Sequence, residues 1–125
     1  RPTEGFMKAS QKLNKQTNEL ITNVVEGYFT WFAKQNETKN HSLYFFNVPA
    51  PVYDYELSSE LNAEVSTTII NFNAAMEKNS KENNFGLIDV YRFTVADNGF
   101  SNSNFHIDKR HLGPNAISQF EKQLE

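Results

Sequence analysis

The chain has 125 residues, enough for one domain with a real core and too few for two comfortable ones. A formal net charge of −3, a pI near 5.6 and scattered lysines without a basic run exclude the usual footprint of a nucleic-acid binder. Cysteine is absent, which excludes disulfides and thiol catalysis, and no apolar run approaches the roughly 18 residues that a membrane span needs.

The chain opens on Arg1 rather than methionine, with no secretory signal, so it reads as a processed or excised piece. Pro2 and Gly5 predict a lead-in loop over residues 1–8. From Lys8 to Lys34, Leu13, Leu20, Ile21, Val24, Val25, Tyr28 and Phe32 recur mostly at three- and four-residue steps, which predicts a helix. Phe29 and Trp31 broaden its apolar surface, so burial on more than one side is expected. The stretch "QNETKNHS" then reads as a polar turn, and Asn36 and Asn40 stand in glycosylation sequons of the kind that chance also produces.

Leu43 to Phe46 form a short continuous apolar run, the pattern of a strand covered on both faces in a parallel sheet. Pro49 and Pro51 lack the N–H a central strand needs, so the chain leaves the sheet near Asn47. Ser58 or Ser59 caps a helix reaching about Lys81, with Leu61, Val65, Ile69, Phe72, Ala75 and Met76 facing inward. Asn79, Asn83 and Asn84 suit its end and exit turn. "FGLIDVYRF" reads as a second strand by the same criterion, and "TVADNGFSNSN" is a turn-rich loop. A last helix starts at Pro114 and turns Ala116, Ile117, Phe120 and Leu124 inward.

This alternation predicts an α/β layered fold with a parallel sheet and right-handed crossovers. Two strands do not make a stable isolated sheet of this kind, so the remaining strands are expected from an N-terminal part outside the chain or from another protomer. In open α/β sheets, functional loops gather at the carboxyl ends of the strands. "FHIDKRHLGP" follows the second strand and holds two of the three histidines, His106 and His111, around Asp108. A neutral His111 there can take a proton, while a carboxylate three residues earlier can hold its other nitrogen and stabilise the imidazolium. Spacing alone leaves this open against a solvated loop with a capping aspartate. A metal set of His106, Asp108 and His111 is the third reading, although the spacing matches no established zinc pattern.

The run from "FGLIDVYRF" through "ADNGFSNSNFHIDKRHLGPNAI" resembles the C-terminal end of SGNH (GDSL-type) hydrolases. The matching pieces are Ile88-Asp89-Val90-Tyr91, Asp108-Lys109-Arg110-His111-Leu112, and then Pro114 and Ala116. Phe72-Asn73-Ala74-Ala75-Met76 looks like a recurrent pattern of the family's penultimate helix, and "NVPAP" takes the place of its proline-rich strand exit. The resemblance covers about Leu43 to Glu125. It implies a three-layer α/β/α sandwich and hydrolysis of a small-molecule or glycan ester, with no cofactor. His111 is then the general base and Asp108 its orienting partner. The family's Gly-Asp-Ser nucleophile block and its glycine and asparagine blocks are absent. The chain is therefore expected to be the C-terminal part of such a domain and inactive alone. The competing expectations are a non-catalytic α/β interaction module and a metal-dependent protein. His106 is expected to be an exposed loop histidine, Asp89 to make a local hydrogen bond, and Ser101 to be an ordinary loop residue.

Overall fold

The computed structural model describes residues 4–125, with side chains from residue 15 onward. Helix α1 spans Glu4–Asn36, strand β1 Tyr44–Phe46, helix α2 Ser59–Glu82, strand β2 Gly86–Ile88, helix α3 Val90–Thr94, and helix α4 Ile117–Leu124 after one 3-10 turn at Pro114–Ala116. The chain is thus mixed helix and strand, with β1 and β2 paired in parallel and Phe45 opposite Leu87. Among the described residues, no helix is long and apolar enough to cross a membrane.

Successive side chains of a strand point to opposite faces, and the two faces here are covered differently. On one, Phe45 and Leu87 meet Val25 and Phe29 of α1 and Met76 of α2. The rings of Phe29, Phe45 and Phe85 stack at centroid distances of 4.7 to 6.0 Å. On the other, Phe46 meets Phe120 of α4 at 5.2 Å, and Phe120 meets Phe93 of α3 at 5.7 Å. Aromatic rings thus pack on both faces of the strand pair, joined on the α1 and α2 side by Ile21, Val25, Met76 and Leu87.

Several expectations are corrected. The helix begins at Glu4, inside the stretch read as a lead-in loop; residues 1–3 and the Leu13 side chain lie outside the described residues. Gly5 does not delay it, because a glycine in a helix costs only about 1 kcal/mol relative to alanine. Burial of α1 on more than one side is not seen: Leu20, Val24, Tyr28 and Trp31 are all exposed. Nor is β1 covered on both faces, since Tyr44 and Phe46 each keep more than half of their surface. Leu61, Val65, Ile117 and Leu124, read as inward-facing, are exposed as well.

The second apolar run is strand only as far as Ile88. Asp89 then caps α3, its carboxylate accepting from the Arg92 N–H at 3.0 Å, so "VYRFT" coils into a helix. Asn47 completes the cap from the end of β1: its Oδ1 accepts from the Val90 and Tyr91 N–H groups and its Nδ2 donates to Asp89. The expected local bond of Asp89 is therefore present, and it closes the carboxyl ends of both strands.

Helix α2 begins as expected, with the Ser58 hydroxyl accepting from the Leu61 N–H at 3.1 Å. It ends at the asparagines, with Asn84 at a φ of 57°. Its buried face is unusually polar. Asn62 gathers the turn before the helix, accepting from the Asp54 N–H and donating to the Asp54 and Ser58 carbonyls. Asn73 donates to the Val48 carbonyl and accepts from the Val48 N–H. These amides serve backbone groups that no strand pairs in the segment leaving β1.

Candidate active site

The loop at 105–113 is a small closed hairpin. His106 and Leu112 form an antiparallel bridge, the Ile107 N–H donates to the His111 carbonyl at 3.0 Å, and the Gly113 N–H donates to Phe105 at 2.7 Å. Gly113 leaves the space this needs, because a Cβ there would sit 2.9 Å from the Ile107 side chain. The loop is anchored on both strand exits. The Ser101 N–H donates to the Pro51 carbonyl, Lys109 reaches Asp54, and the Phe105 ring meets Phe93 at 5.0 Å.

At the hairpin tip, Asp108 does two jobs. Its Oδ1 accepts from the backbone N–H groups of Arg110 and His111, each at 2.7 Å. The same carboxylate meets His111 Nδ1, Oδ2 at 2.9 Å and Oδ1 at 3.0 Å. The Arg110 N–H first, then the His111 ring and the His111 N–H, lower the Asp108 pKa to about 2. The carboxylate is therefore ionised at neutral pH and only accepts, so Nδ1 carries a proton, and the neutral form of the ring is the tautomer with its lone pair on Nε2. The capping aspartate and the histidine partner, read from the sequence as alternatives, are one residue. His111 is exposed at its side chain (71%), so its ring is open to an approaching group.

His106 does not join the pair, and it is not the exposed loop histidine expected. It is half-buried, with Nδ1 2.7 Å from the Ser101 Oγ, and burial lowers its pKa despite the opposing pull of Asp108. Ser101 also accepts from the Ser103 N–H. It is thus the fastening point of the loop rather than an ordinary member of it. Only a serine and a histidine five residues apart across a turn could have signalled this contact in the sequence. Among the described residues, no three His, Asp or Glu side chains converge to hold a metal ion. His106, Asp108 and His111 accordingly do not form the ligand set considered above.

The chain matches no protein-family model, no curated protein and no solved structure.

Proposed function

We propose that this chain carries the Asp–His part of a serine ester hydrolase of the SGNH (GDSL) type. In this reading it is the C-terminal portion of a three-layer α/β/α domain, and the nucleophilic serine lies outside these residues. The observation that carries the proposal is the Asp108–His111 pair, with its carboxylate locked by two backbone N–H groups and its imidazole held in one tautomer.

His111 Nε2 takes the proton of a serine hydroxyl as the oxygen attacks the ester carbonyl. Asp108 holds Nδ1–H and stabilises the imidazolium that forms. The tetrahedral intermediate expels the alcohol, which receives the proton from Nε2. Water, deprotonated by the same nitrogen, then releases the acid from the acyl-enzyme. The substrate is a small-molecule or glycan ester.

The incomplete sheet supports the larger domain. Two strands of three residues each are below the size of an independently stable sheet. Helix α1 packs over β1 through Phe29 and Phe32, and it carries the exposed apolar stripe of Leu20, Val24, Tyr28 and Trp31. Further strands beside β1, from a preceding segment or another protomer, would bring apolar surface to that stripe.

The test is esterase turnover by the protein extended through its upstream reading frame. His111→Ala should lower kcat by at least about a thousandfold; equal rates remove the proposal. The 125-residue chain alone should be inactive, and clear turnover by it would overturn the fragment reading. The apolar stripe also favours a second reading, a non-catalytic interaction module. An extended protein that folds yet has no serine reactive toward a fluorophosphonate supports that one instead.

A further inference from the structure

Beside the Asp108–His111 tip lies a groove of about 440 Å³, bounded by the chain leaving β1, the first half of α2 and the 105–113 loop. Small-molecule sites commonly fall between roughly 300 and 1,000 Å³, with apolar walls and a few convergent polar groups. Here Val52, Leu57, Val65 and Ile69 form apolar wall, Asp54 and the backbone-bound Asn62 line the same side, and His106, Lys109 and Arg110 approach from the loop.

The polar groups differ in what remains free. Lys109 Nζ is 3.1 Å from the Asp54 carboxylate and 3.8 Å from that of Glu56, so its charge is answered. His106 is engaged by Ser101, and burial favours its neutral form. The Arg110 guanidinium makes no hydrogen bond or ion pair among the described residues. Only its backbone N–H is used, on Asp108. A free guanidinium at the rim of a groove with one apolar wall is a complement for one carboxylate joined to an apolar body.

We infer that this groove binds an apolar monocarboxylate of about the size of a ten-carbon acid, with its carboxylate on Arg110 and its body over Val52, Val65 and Ile69. Asp108 and His111 do not line the groove, so binding does not depend on catalysis.

Decanoate, below its micellar concentration, is titrated into the isotopically labelled chain and followed by amide NMR. Saturable one-to-one shifts at Val52, Ile69, His106 and Arg110 are expected. Arg110→Gln should weaken binding about tenfold or more, and decanol should bind at least as poorly. Val65→Asp, at a half-exposed position that tolerates a charge, should abolish binding with the amide spectrum otherwise intact. Trp31→Ser, on the far α1 stripe, should leave it unchanged. Shifts that never saturate, that survive Arg110→Gln, that are equal for decanol, or that map to the α1 stripe overturn the inference. Absence of decanoate binding leaves the hydrolytic proposal standing, and absence of esterase activity leaves decanoate binding standing.

Discussion

Asn73 of α2 grips Val48 by both backbone groups, accepting from its N–H and donating to its carbonyl, each at 2.8 Å. One side-chain amide thus does for the segment leaving β1 what a neighbouring strand does for a strand. Asn73 is buried, so its loss leaves two backbone groups without a partner. Asn73→Ala should destabilise the chain by about 2–4 kcal/mol, from a lost bond of about 1 kcal/mol and the desolvated groups left behind. Urea unfolding checks this, and a change below about 0.5 kcal/mol would show that water replaces the amide.

Thr94 fastens the same segment one step further on. It is fully buried, its hydroxyl accepts from the Ala50 N–H at 2.9 Å, and it donates to the Val90 carbonyl at 2.8 Å. Thr94→Val keeps the shape and removes the acceptor, orphaning a buried N–H. The expected cost is about 1–3 kcal/mol. Thr94→Ser should recover most of it, because only the methyl is lost. A valine variant as stable as the parent would mean that Ala50 finds another acceptor.

These buried amides and hydroxyls mark where the sequence stopped being readable. Periodicity placed α2 and its cap at Ser58 well, because apolar spacing and an N-cap are local signals. It said nothing of Asn62 and Asn73, whose value lies in backbone groups 8 and 25 residues away. An asparagine within an apolar helix face was the one available hint, since such residues are poor helix formers unless the side chain has a partner. "FGLIDVYRF" misled for a related reason. Its apolar content fits strand and buried helix alike, and the switch at Val90 is made by the caps from Asp89 and Asn47. At the loop, spacing alone left the reading open, and the position after a strand together with the SGNH-type resemblance brought Asp108 and His111 forward. The same resemblance set His106 aside as an exposed residue, and geometry corrected its surroundings by giving it to Ser101.

The Asp108 carboxylate makes an acid-range prediction. Its folded pKa of about 2 lies below the unfolded value near 3.8. A depressed carboxylate contributes order above the unfolded value and loses it as pH falls through the folded one. The Arg110 amide shift should therefore show no carboxylate step near the unfolded value and should titrate instead with a midpoint near 2. A midpoint near 4 would show that the carboxylate is not held by those N–H groups. Asp108→Asn should abolish the transition and release His111 Nδ1 from its fixed tautomer.

His106 works in a different window, with its folded pKa lowered from 6.5 chiefly by burial. The unfolded chain therefore binds the extra proton first. Stability from this group is complete above the unfolded value and declines as pH drops toward the folded one. Thermal midpoints should rise from pH 5 to pH 7.5, and His106→Gln should flatten part of that rise. An unchanged slope in the variant would assign it to other groups.

Gly27 bears on whether the apolar face of α1 is a finished surface. It sits in mid-helix beside Val24, Tyr28 and Trp31, and a Cβ built on it meets nothing within 4 Å. Among the described residues the glycine thus carries the usual helix cost with no steric reason for it. Gly27→Ala should stabilise the isolated chain by about 0.5–1 kcal/mol. If further strands or a second protomer cover this stripe, the gap at Gly27 becomes a packing contact, and the same alanine should destabilise the extended protein. Chemical denaturation of both forms compares the two signs. A stabilisation of equal size in the extended protein would show that nothing packs closely at Gly27 and would weaken the case for a larger sheet beneath α1.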